Sequence, residues 1–128
     1  MGYGISKTVS MTYEQAVERV TEELKKEGFG ILTTIDVRET LKKKLDVDFN
    51  KYIILGACNP PFAYKALQTE EQIGLLLPCN VIVYEKEGKT IVGIFDPLSM
   101  TKMVENEALG PIAQDVAARL HRALQALD

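Results

Sequence analysis

Histidine occurs once in this 128-residue chain, cysteine twice and tryptophan not at all. Two cysteines do not make a disulfide scaffold. With His121 as the single imidazole, a Cys–His nucleophile pair depends wholly on that residue reaching a thiol. Two thiols also fall short of the four ligands a structural zinc takes, so only a two-fold dimer giving two from each chain would close such a site. An excess of charge of one sign is missing as well. Fifteen basic against 18 acidic residues give −3 and a pI near 5.2, which provides no electrostatic footprint for a nucleic acid. Lys42-Lys43-Lys44 is the local exception and reads as a solvated helix face. The longest apolar stretch, Ile73 to Tyr84, is interrupted by Pro78 and Asn80 and is shorter than the roughly 18–20 residues a bilayer crossing needs. The first residues carry no apolar core of a secretory signal. Gly2 and Ser6 fit the loose pattern for N-terminal acylation, although the start of a first strand is the simpler reading. The aspartates lack calcium-loop spacing, and Gly28-Phe29-Gly30 lacks the third glycine of a dinucleotide fingerprint. A cytoplasmic protein with no membrane or nucleic-acid partner is the expectation.

The chain has no repeats or linkers, and residues 1–128 read as a single domain. Tyr3 to Val9 alternates weakly as a first strand. Thr12 and Gln15 form a capping box, Ala16, Val17, Val20 and Leu24 follow at helical spacing, and Gly28 stops a helix over 12–27. Phe29 to Val37 is the second strand. Asp36 and Glu39 open a short helix expected to turn Leu41 and Leu45 inward. Tyr52 to Ala57 is the third strand, and Asn59 as N-cap with Pro60 at the first helical position opens a helix through about Gln68. Val81–Glu85 and Thr90–Phe95 flank Lys86-Glu87-Gly88-Lys89 as a hairpin. A short irregular helix around Leu98 to Val104 follows. An apolar stripe from Leu109 through Leu127 then marks a long terminal helix. The order β-α-β-(α)-β-α-β-β-α predicts an α+β fold, a mostly antiparallel five-stranded sheet with helices packed on one face. Strand five is apolar on both sides, which predicts that its outer face is covered too, by a second subunit.

Both cysteines sit where an apolar run meets a breaker, in the near-mirror tripeptides Cys58-Asn59-Pro60 and Pro78-Cys79-Asn80. If the runs Tyr52–Ala57 and Ile73–Leu77, the latter resuming at Val81–Tyr84, are strands, both thiols and both asparagines come to strand ends. Cys58, Asn59, Pro78, Cys79 and Asn80 are therefore the candidate ligand-binding residues. Cys58 precedes a helix N-terminus, which favours a thiolate, but Pro60 and Pro61 remove two of the N–H donors. Inert core thiols, a disulfide closing about 22 residues for roughly 3 kcal/mol, and a metal pair all stay open. Met100 and Met103 with Leu98 read as core packing or as the lining of a soft pocket.

Gly28-Phe29-Gly30-Ile31-Leu32, Gly56-Ala57-Cys58-Asn59-Pro60, Leu75 through Tyr84, and Asp96-Pro97 together resemble the bacterial and archaeal domain-of-unknown-function 302 family across essentially the whole chain. That resemblance implies a TATA-binding-protein-like (TBP-like) fold in single copy and dimer formation. It brings no catalytic residues and no cofactor. The expected function is a homodimeric, non-enzymatic small-ligand-binding or interaction module. The alternative is a thiol-dependent redox or metal-binding protein using Cys58 and Cys79.

Overall fold

In the computed structural model, which describes residues 2–128, five strands form one sheet in the order β1-β5-β4-β3-β2, and every neighbouring pair is antiparallel. Met1, the first residue of the acylation pattern, lies outside the described residues. The strands are β1 (Gly4–Val9), β2 (Gly30–Asp36), β3 (Tyr52–Cys58), β4 (Cys79–Lys86) and β5 (Lys89–Phe95). The helices are α1 (Tyr13–Lys26), α2 (Val37–Leu45), α3 (Pro60–Thr69), α4 (Met100–Met103) and α5 (Leu109–Gln125). The fold is α+β, as the pattern of elements predicts.

α1 begins at a complete capping box: Thr12 Oγ1 accepts from Gln15 N and Gln15 Oε1 accepts from Thr12 N, both at 3.1 Å. It carries the chain from the β1 edge of the sheet to the β2 edge, burying Ala16, Val20 and Leu24. α5 packs beside it and buries Val116, Leu120, Ala123 and Leu124. Beneath them the sheet contributes Leu55, Ala57, Val81, Val83, Val92 and Ile94, so α1 and α5 share one face. The C-terminus returns to β1, where Asp128 O accepts from Ser10 N at 3.0 Å. A second apolar cluster (Ala66, Ile73, Met100 and Leu109) sits under α3, α4 and the start of α5.

The β4–β5 hairpin turns on Glu87 and Gly88, both at positive φ, the mirror-image turn that matches strand twist. Two expectations fail. Ile73–Leu77 is not a strand: Glu71–Leu76 forms a 3-10 helix that buries Ile73 and leaves Leu75 exposed. With α3 it bridges β3 and β4, and Leu77–Pro78 is a cis peptide. α2 has its expected cap, Asp36 Oδ1 accepting from Glu39 N at 3.0 Å, yet it buries no residue, and Leu45 is 65% exposed. α2 lies at the sheet margin against β2 and β3, so a nine-residue helix with three lysines has no second layer to face. Those lysines are solvated, with Lys42 reaching Asp46 at 3.0 Å and Lys43 reaching Glu39 at 3.2 Å.

Candidate functional site: an apolar pocket at the cysteine-bearing strand ends

β3 and β4 are neighbours, and Ala57 pairs with Cys79. The two cysteine-bearing segments therefore meet, as their matching positions predict. Side chains alternate across a strand. Leu55 and Ala57 on β3, with Cys79, Val81 and Val83 on β4, turn toward the helices and are buried. Asn80 pairs with Gly56 and turns to the opposite face, where it is exposed. Cys58, Asn59, Pro78 and Cys79 line one pocket and Asn80 lines another. The near-mirror symmetry of the tripeptides is lost because one asparagine starts a helix and the other sits inside a strand.

The pocket at the thiols has a volume of about 380 Å³. It occupies the seam between the two apolar clusters: Phe29, Ala57, Cys79 and Val116 come from the first, Ala66 and Met100 from the second. Small side chains create it, since Ala57, Ala63, Ala66, Gly74 and Ala113 stand where larger residues would close the gap. Exposed Leu32 and Leu67 mark its mouth. Leu32 lies at an irregularity of register where β2 pairs with β3, a device that re-aims side chains at a sheet edge. Among the described residues no charged side chain lines the pocket.

Asn59 is buried at the N-terminus of α3, but its side chain makes no cap bond. Instead Nδ2 donates to Glu27 O at 3.3 Å, and Arg119 Nη1 donates to the same carbonyl at 3.2 Å. The expected cap is replaced because this carbonyl at the end of α1 needs a partner where α1, α3 and α5 converge. Arg119 also lies 5.1 Å from the Phe62 ring centre, fixing that pocket wall by a cation–π contact. Arg122 closes the clamp on Glu27 Oε1 at 2.8 Å.

Cys58 is half-buried and Cys79 buried, both as free thiols. Burial, with a smaller contribution from Cys58, pushes the Cys79 thiol up to about 11, so at neutral pH it is protonated and a poor nucleophile. Among the described residues the thiols have no third Cys, His, Asp or Glu grouped with them. Met100 does line the pocket, whereas Met103 is exposed.

A second hollow, about 940 Å³, lies over the helix-free face, and of the five candidate residues Asn80 alone lines it. Tyr52 and Tyr84, opposite each other in the β3–β4 register, stack there at 5.2 Å, with Phe49 6.3 Å from Tyr52. The signal available in the sequence was alternation: Tyr52 and Ile54 on one strand, Ile82 and Tyr84 on the next.

Residues 5–127 match the profile of a family described as Domain of unknown function DUF302. A crystal structure of an uncharacterized conserved DUF302 protein from Bacillus stearothermophilus superposes with a TM-score of 0.91, at 35% identity over 98% of each chain. A search of curated proteins finds no match.

Proposed function

The chain belongs to the DUF302 family, which carries no assigned activity, and from the site itself we propose a homodimeric, non-enzymatic module of the cytoplasm that binds a small ligand. In this reading residues 1–128 act as one domain with a TBP-like single-copy architecture, and the ligand sits against Cys58, Asn59, Pro78 and Cys79. The observation that carries it is the preformed seam pocket, whose 380 Å³ lies within the range of ligand sites. Its wall offers no carboxylate, imidazole or ammonium to move a proton, which favours binding over catalysis. Reduced thiols suit a reducing compartment. Support for a second copy comes from the helix-free face, where Ile54, Ile82 and Ile91 are half-buried and turn away from α1 and α5. Contiguous apolar surface of this kind tends to mark an interface.

Native mass spectrometry of gently purified protein tests the ligand: a retained small molecule, lost when Ala66→Phe fills the seam, supports the reading. Absence of any retained or titratable ligand overturns it. Sedimentation at micromolar concentration tests the pair, and a monomer removes the homodimer. The neighbouring strand-end positions of the thiols favour one second reading, redox or metal binding through Cys58 and Cys79. Thiol titration with and without reductant, plus metal analysis, decides it: two free thiols and no metal remove it.

A further inference from the structure

We propose that the seam pocket takes an uncharged, ring-containing ligand of about two fused rings, and that it discriminates against anionic analogues of the same shape. This rests on the reading of the pocket as a binding site and goes on to name what fits. Three features of the wall carry it.

The first is charge. A carboxylate, sulfonate or phosphate on a ligand in the seam would leave water with no cationic partner, because no lining side chain is charged. Burying an unpaired charge is far costlier than burying apolar surface. Two cations lie against the Phe62 ring without lining the pocket: Arg119, occupied with Glu27 O and Asp115, and Lys65, whose Nζ is 5.6 Å from the ring centre. The second is softness. Three sulfurs (Cys58, Cys79 and Met100) share the wall with the rings of Phe29 and Phe62, and sulfur–aromatic contacts favour a ring over a saturated chain of equal size. The third is size. A cavity of about 150 Å³ holds one benzene, so 380 Å³ gives room for about two rings with substituents. Asn59 supplies the polar handle. One of its two amide protons is used on Glu27 O, and the other can meet a neutral hydroxyl or carbonyl on the ligand.

A matched pair of fluorescent probes tests this on the full chain: N-phenylnaphthylamine, which is neutral, and anilinonaphthalene sulfonate, which adds a sulfonate to the same rings. The expected result is saturable binding of the neutral probe at one per chain, with the sulfonate at least about tenfold weaker. Decanol, a neutral chain, should displace the neutral probe only at higher concentration than naphthol does. Ala63→Phe, a half-buried position on the pocket wall, should abolish binding while the far-ultraviolet spectrum is kept. As a check independent of any variant, saturating neutral probe should slow alkylation of Cys58 in the wild-type protein. Equal or tighter binding of the sulfonate overturns the ligand class and leaves a binding pocket standing. Failure of every probe to bind overturns the pocket reading itself. Binding that neither protects Cys58 nor responds to Ala63→Phe places the site elsewhere and overturns both.

Discussion

The two faces of this sheet are made from the same kinds of residue and come to different ends. Toward the helices, Val81, Val83 and Val92 are completely buried. On the other side Ile82 and Ile91 from the same two strands, and Ile54 from neighbouring β3, keep part of their surface in water. The difference is one of layers: α1 and α5 cover one face, and among the described residues no helix covers the centre of the other. Apolarity along a strand therefore reports that both faces need cover, and the helix count shows that the chain supplies only one.

The largest test of this contrast sets adjacent residues of β5 against each other. Val92→Glu places a carboxylate in the core and should unfold the protein, since charge burial in a packed interior exceeds the roughly 4–5 kcal/mol that marks exceptional substitutions. Ile91→Glu, one residue away, should leave a folded chain with a stability loss of about 1 kcal/mol or less and should abolish self-association. Thermal melts and sedimentation on both variants provide the check. If Ile91→Glu melts as Val92→Glu does, the helix-free face is covered within the chain and the contrast fails.

The helix-free face is not uniformly open, and two glycines sharpen the point. A Cβ on Gly56 would collide with Thr33 Oγ1 and lie 2.8 Å from Pro78 Cγ. A Cβ on Gly93 would meet Ile82 Cγ1 at 3.0 Å and Cδ1 at 3.3 Å, with Ile5 O at an ordinary contact distance of 3.8 Å. Overpacking costs typically about 1–3 kcal/mol. Gly56→Ala should lie at the upper end, because a rigid proline ring and a β-branched threonine cannot yield. Gly93→Ala should lie below about 1 kcal/mol, since the end of an isoleucine can rotate toward the hollow. Urea midpoints that reverse this order would mean the hollow over Ile82 is already filled.

Asn59 divides local from tertiary logic. As a helix cap it would accept aspartate in its place, and the added charge at a helix N-terminus would be favourable. As a donor to Glu27 O it cannot, because a carboxylate has no proton to give. Asn59→Asp should therefore destabilise by about 1–3 kcal/mol, the cost of facing a buried carbonyl with an acceptor. A neutral or stabilising result restores the cap.

Local signals in the sequence located the element boundaries closely. The Thr12–Gln15 box, the Asp36 cap and the Gly88 turn each act through neighbours a few residues away, and each is present. What escaped depends on partners far along the chain. Asn59 looks like a cap until Glu27 and Arg119 arrive from two other helices. Leu41 and Leu45 show a helical stripe, but no layer exists to receive it, and Leu45 is left in solvent. The run Ile73–Leu77 has the composition of a strand and forms a 3-10 turn, since β3 and β4 already pair without it. The pocket was half legible. Cys58 and Cys79 marked the place, while the alanines that make room for it are ordinary helix residues in any one-dimensional reading.

The smallest expected effect belongs to the ionic layer on the helix side, and acid separates it from the apolar contrast. Arg122, hydrogen-bonded to Glu27, holds that carboxyl below its ordinary value of 4.5. Lys26 and Arg19 do the same for Glu23. A carboxyl depressed in the folded state contributes stability that is present above the unfolded value and lost as pH falls through the lower folded one. Stability should thus be level around neutrality from these groups and decline once the pH drops below 4.5. Glu27→Gln should flatten part of that decline and change the neutral-pH midpoint little, because exposed pairs contribute little and are screened by salt. Urea midpoints measured from pH 7 to pH 3 at two salt concentrations give the comparison. An acid limb unchanged by Glu27→Gln would mean the Arg122 pair persists in the unfolded chain or contributes nothing, and the clamp around Glu27 would then rest on its carbonyl alone.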